Sequence, residues 1–144
     1  MIRIAGFIML LLAGNVFASE PPIGSVKTVS GDASITTDSK KTNAQVGSPV
    51  YQGSVLQTGK NGSMGVTFKD ETVMSFGADT VFTVDEYLYA PAQGKLKLSS
   101  KITKGSLNYV SGVIAKMQPD AVSVKTPTGV IGVRGTQFLL KVEE

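Results

Sequence analysis

The run Lys60-Asn61-Gly62-Ser63-Met64-Gly65-Val66-Thr67-Phe68-Lys69-Asp70-Glu71-Thr72-Val73-Met74-Ser75-Phe76 sets the class of fold. Met64, Val66 and Phe68 alternate with small or polar neighbours, Lys69 to Thr72 turns the chain, and Met74 and Phe76 alternate on the way back. Successive side chains on a strand point to opposite faces, so a period of two marks strands with one face buried. Asn61-Gly62 fits the two-residue slot of a type I′ hairpin, whose central residues take positive φ. The same residues with Ser63 fit an N-glycosylation acceptor, but the turn explains them more simply.

The rhythm extends in both directions. Gly77-Ala78-Asp79 turns the chain before Phe82, Val84 and Tyr87-Leu88-Tyr89, and Pro91 to Gly94 turns it again before Leu96 and Leu98. Ile102, Leu107 and Tyr109 continue the alternation. Val113 to Met117 is apolar enough for a helix or a strand, and the flanking Gly112 and Gln118-Pro119-Asp120-Ala121 favour a short strand and turn; Val122 and Val124 supply one strand more. Upstream, Ser30-Gly31-Asp32 reads as a hairpin turn and Asp38 to Asn43 as a solvated loop. Val46 to Leu56 is broken by Gly47, Pro49 and Gly53, as a bent or bulged strand would be. Turns every eight to twelve residues, with no sustained helical period, predict one all-β domain of many short strands, a sandwich or short β-solenoid-like coil.

The first eighteen residues stand apart. Met1-Ile2-Arg3 is followed by an uncharged apolar run from Ile4 to Ala13, then by Val16-Phe17-Ala18 ahead of polar Ser19-Glu20. That is the pattern of a signal peptide over residues 1–18, and the run is too short for a comfortable membrane span. Residues 19–144 then form the single domain, exported to the periplasm or secreted, with no membrane span after cleavage. The chain carries 14 Lys and Arg against 11 Asp and Glu. Without Arg3 the balance is 13 against 11, a net +2, and the lysines are scattered. No footprint for nucleic acid is visible.

The residue types exclude much chemistry. The chain has no histidine and no cysteine. Ser-His-Asp and Cys-His nucleophiles, disulfides and the usual nitrogen and sulfur zinc sites are therefore out of reach. No Ser-x-x-Lys and no phosphate-cradling loop occurs, and the adjacent pairs Asp70-Glu71 and Asp85-Glu86 point to opposite strand faces. Asp70 is most simply a turn former. The expectation is a protein with no enzymatic activity, no catalytic or metal residues and no cofactor.

One segment is less generic than the rest: Lys125-Thr126-Pro127-Thr128-Gly129-Val130-Ile131-Gly132-Val133-Arg134-Gly135-Thr136-Gln137-Phe138. Glycine recurs every third residue, as where backbone takes positive φ or approaches another group closely. The only arginine after Arg3 sits between two of them. A guanidinium offers a fixed fork of donors, so Arg134 is either an anion clamp or a clasp on its own turn, tied to nearby carbonyls or to Asp70 or Asp79. The clasp is the expected role.

Thr126-Pro127 followed by Gly132-Val133-Arg134-Gly135-Thr136 and Phe138 resembles the closing signature of FecR-domain proteins. Gly47, Gly53, Leu56, Thr58 and Gly59 resemble the family's glycine-spaced entry. Phe68, Asp70 and Thr72 resemble its strand-turn motif, and Gly105 to Val110 the strand before the signature. Glu71 departs from it, standing where a glycine is common, and Ser48 and Ser54 stand where aspartate often follows glycine. The resemblance covers most of residues 24 to 142. It implies a shared periplasmic module and not the shared regulatory circuit. The leading expectation is a non-enzymatic interaction module that binds a protein of the periplasm or outer membrane, accessory to envelope signalling, uptake or secretion. Family regulators add a membrane helix and a cytoplasmic sigma-factor-binding segment, neither of which is found here. Two other readings stay open: a self-assembling structural component of the envelope, and a binder of small ligands or glycans using Arg134 with Tyr87, Tyr89 or Tyr109.

Overall fold

The computed structural model describes residues 20–133 and 137–143. The signal-peptide reading of residues 1–18 lies outside them, as do Arg134, Gly135 and Thr136. Among the described residues twelve strands form in chain order: β1 (Gly24–Ser30), β2 (Ala33–Thr37), β3 (Lys40–Asn43), β4 (Pro49–Val50), β5 (Val55–Thr58) and β6 (Ser63–Phe68). Then follow β7 (Val73–Phe76), β8 (Val81–Ala90), β9 (Lys95–Val110), β10 (Val122–Thr126), β11 (Gly129–Gly132) and β12 (Gln137–Val142). The class is all-β, as the alternation requires.

Pairing divides the strands into two sheets that share one member. One sheet runs β4-β1-β6-β7-β9-β12, the other β3-β2-β5-β8-β9-β10-β11. The two pack face to face over one apolar cluster. Phe76 of the first meets Phe82 of the second with ring centres 4.9 Å apart, and Phe68 stacks on Tyr87 at 5.5 Å. The sixteen-residue β9 serves both sheets because it bends at Gly105, whose φ is +97°. A Cβ there would lie 2.6 Å from that of Thr80, so only glycine fits.

The turns correct several expectations. Ser30-Gly31-Asp32 and Lys60-Asn61-Gly62 are not hairpins. Each carries the chain from one sheet to the other, since β1 and β6 belong to the first and β2 and β5 to the second. The two crossovers lie against each other: the Gly59 N–H donates to the Asp32 carbonyl at 2.9 Å, and a Cβ on Gly62 would strike that same carbonyl. Close approach, not positive φ, is why Gly62 is glycine. The two-residue hairpin with positive φ at both positions is instead Asp38-Ser39, at 51° and 66°, joining β2 to β3. The stretch read as a solvated loop is thus an edge strand, every residue of it exposed. Val46 to Leu56 is broken as expected, but into β4 and β5 on different sheets. Lys69 to Thr72 does turn β6 into β7, with Glu71 at a φ of 71°, the left-handed position that glycine takes most readily.

Val113–Met117 is a five-residue helix, α1, not a strand. Ile114 and Ala115 are its buried side chains, and both join the core. A helix this short has no intrinsic stability in water, so its first turn must be held from outside.

Candidate functional site

The holder of that helix is Asp70. Its side chain is fully buried and accepts hydrogen bonds on both oxygens. Oδ1 receives the Tyr87 hydroxyl at 2.8 Å and the Thr72 N–H at 3.3 Å. Oδ2 receives the Thr72 hydroxyl at 2.7 Å and the Ile114 N–H at 3.1 Å. The Asp70 carbonyl takes the Val113 N–H at 2.7 Å, and the Asp70 N–H donates back to the Tyr87 oxygen at 2.9 Å. Gly112 at the helix N-cap has no side chain to offer, so Asp70 does the capping from 44 residues away in sequence. Burial and the adjacent carboxylate push the Tyr87 hydroxyl well above its ordinary titration range. A carboxylate with four donors around it is chemically satisfied, and here it is a structural joint. The turn role read for Asp70 holds, and the joint extends it.

The family-signature segment forms a different feature. Thr126 and Gly129 close the β10–β11 hairpin around Pro127-Thr128, with the Thr126 hydroxyl donating to the Gly129 carbonyl at 3.0 Å. Gly132 ends β11 opposite Ser123, and Val133 is buried with its N–H on the Val122 carbonyl at 3.4 Å. Phe138 lies on β12 opposite Tyr109 and stacks on its ring at 4.9 Å. Gly129 and Gly132 correct the reading of the glycine run: neither takes positive φ, and a Cβ on either would meet open space. They leave the backbone of β11 bare instead.

Among the described residues β11 pairs only with β10, and β12 only with β9. Between them lies a groove of about 510 Å³, lined by Val130, Ile131, Leu140 and Val142 with Lys141 and Glu143. The structure thus brings Thr126 and Pro127 to the groove's hairpin wall; Val133 anchors that wall to the core, and Phe138 packs the β12 wall against it. Arg134, Gly135 and Thr136 lie outside the described residues, so the clasp expected of Arg134 has no structural account.

The tyrosines are a correction. Tyr109 is fully buried and Tyr87 is 6% exposed, so neither ring is open to stack on a ligand, and Tyr89 is half-buried against the core. Burial also raises the titration range of Tyr109. Among the described residues there is no cluster of three or more acidic side chains able to hold a metal ion, and no helix long and apolar enough to cross a membrane.

Residues 54–144 match the model of the FecR protein family, well over half of the chain. The chain belongs to that family, as the motifs around Asp70 and Gly132 led one to expect. Its domains are periplasmic, signalling-related modules. Neither the curated proteins nor the solved structures contain a match to the chain.

Proposed function

We propose that this chain is an exported, non-enzymatic interaction module of the bacterial envelope. In this reading an extended segment of a periplasmic or outer-membrane protein adds to the open side of the sandwich between β11 and β12. The groove there supports the reading. Among the described residues two strands each keep one edge unpaired beside it, and Val130, Ile131, Leu140 and Val142 give its walls an apolar stretch between polar ends. Unpaired strand edges are templates for a further strand, which natural domains usually blunt. The β3 edge is blunted by Lys40 and Lys41, whereas β11 presents two glycines and an exposed Val130. Export rests on the apolar leader, and the absence of enzymatic chemistry on the missing histidine and cysteine.

A photo-crosslinking residue placed at Val130 or Leu140, with Thr28 on the outer face of the first sheet as control, tests this in cells. Capture of one envelope protein at both groove positions and not at Thr28 is the expected result. Capture at Thr28 alone would remove the groove from the reading, and crosslinks only to a second copy would replace it with self-assembly.

A further inference from the structure

A second groove, of about 360 Å³, opens on the outer face of the other sheet across β3, β2 and β5. Its floor is a straight row of polar side chains, since Ser34 lies in register with Asn43 on one side and Gln57 on the other. Neighbouring strands are about 4.8 Å apart, so the two carboxamides flank the hydroxyl at close range. Asp32 and Lys41 also line it, beside Ala33, Thr58 and Gly59. Among the described residues none of these five side chains makes a hydrogen bond or ion pair. That is ordinary for side chains open to solvent; Ser34 is only 8% exposed as a residue, but its hydroxyl is not itself buried, so it stays available from the groove. The site is also held firmly. The Asp32 carbonyl is fixed by the Gly59 N–H, and Thr58 beside it spends its hydroxyl on the Gly77 carbonyl at 2.6 Å.

We propose that this groove binds a saccharide unit of a glycan. Each carboxamide offers a donor and an acceptor, a serine hydroxyl offers both, a carboxylate only accepts and an ammonium only donates. A ring with adjacent hydroxyls, each donating and accepting, matches that whole set. An inorganic anion leaves Asp32 and the carboxamide oxygens facing a like charge, and an apolar ligand leaves every group unmatched. No aromatic side chain lines the groove, so recognition rests on hydrogen bonds made in competition with water, and affinity for a single sugar is weak. The site lies on a different part of the molecule from the β11–β12 groove and does not depend on a partner docking there.

The test is a titration of the isotopically labelled protein, followed by amide NMR shifts, with methyl glucoside, N-acetylglucosamine and galacturonic acid. At least one should shift amides at 32–34, 41–43 and 57–59, saturating in about the millimolar range. Asn43→Ala and Gln57→Ala should each weaken that binding several-fold at unchanged melting temperature, and the double variant should abolish it. The proposal falls if none of the sugars shifts these amides at about 50 mM. It falls equally if the shifts centre elsewhere, if the double variant binds like the parent, or if free amino acids bind there and sugars do not.

Discussion

Two polar clusters of this domain treat hydrogen bonding in opposite ways. Around Asp70 both carboxylate oxygens are bonded, and the donors come from three separate parts of the chain. Around Ser34 five polar side chains converge and none is bonded within the described residues. A saturated buried network specifies one arrangement of the backbone and has no capacity left for a ligand. An unsaturated group near the surface adds little to stability, and its capacity is what a ligand can use. The fold spends one cluster on itself and keeps the other free.

Breaking the saturated cluster should have the largest effect. Asp70→Ala removes the acceptor for the first turn of α1 and strands the Tyr87 hydroxyl, and should cost about 3–5 kcal/mol of unfolding free energy in urea titration. A loss below about 1 kcal/mol would mean that water replaces the carboxylate, and the joint would not be one. Tyr87→Phe should cost less, about 1–3 kcal/mol, because Asp70 keeps three of its four donors. The direction of the Tyr87 shift sharpens the same point with pH. Its folded titration lies above the unfolded value of about 10, so its proton is held more firmly in the folded state. Its contribution is fully present below pH 10 and is lost as pH rises further. The melting temperature should fall above about pH 10, and fall less steeply in Tyr87→Phe. At the small end, Asn43→Ala with Gln57→Ala should change stability by no more than about 0.5 kcal/mol, as expected of groups that bond nothing. A large loss there would erase the contrast between the clusters.

Which of these features could be read beforehand follows from where their partners lie. Met64, Val66, Phe68, Met74 and Phe76 announce strands because the signal is local alternation, and all five are buried in the core. The Lys69 to Thr72 turn is equally local. What failed was everything decided across the molecule. Asn61-Gly62 has the composition of a tight hairpin, but its chain passes between sheets because Asp32 sits against it. Val113–Met117 is apolar enough for either a helix or a strand, and its flanks favour a strand. It becomes a helix because the carbonyl and carboxylate of Asp70, from a distant turn, bond its first two N–H groups. The candidate site divides the same way. Thr126, Pro127, Val133 and Phe138 stood out by motif, while Ser34, Asn43 and Gln57 form a row only once β2 pairs with β3 and β5. A Ser, an Asn and a Gln spaced 9 and 14 residues apart (34, 43, 57) carry no periodic signal. Within the signature the glycines were the misleading element, since two of them face open space instead of shaping a turn.

The shared strand β9 also sets the order in which the molecule can become stable. Both sheets are incomplete without it, because β7, β8, β10 and β12 all pair with it, and it lies beyond the first ninety-four residues. A chain delivered N-terminus first would hold eight strands with no common spine, their apolar faces and edges exposed until the last third arrived. Such a chain has every reason to stay unfolded until then and to condense late, in one step, once β9 can lie between its neighbours.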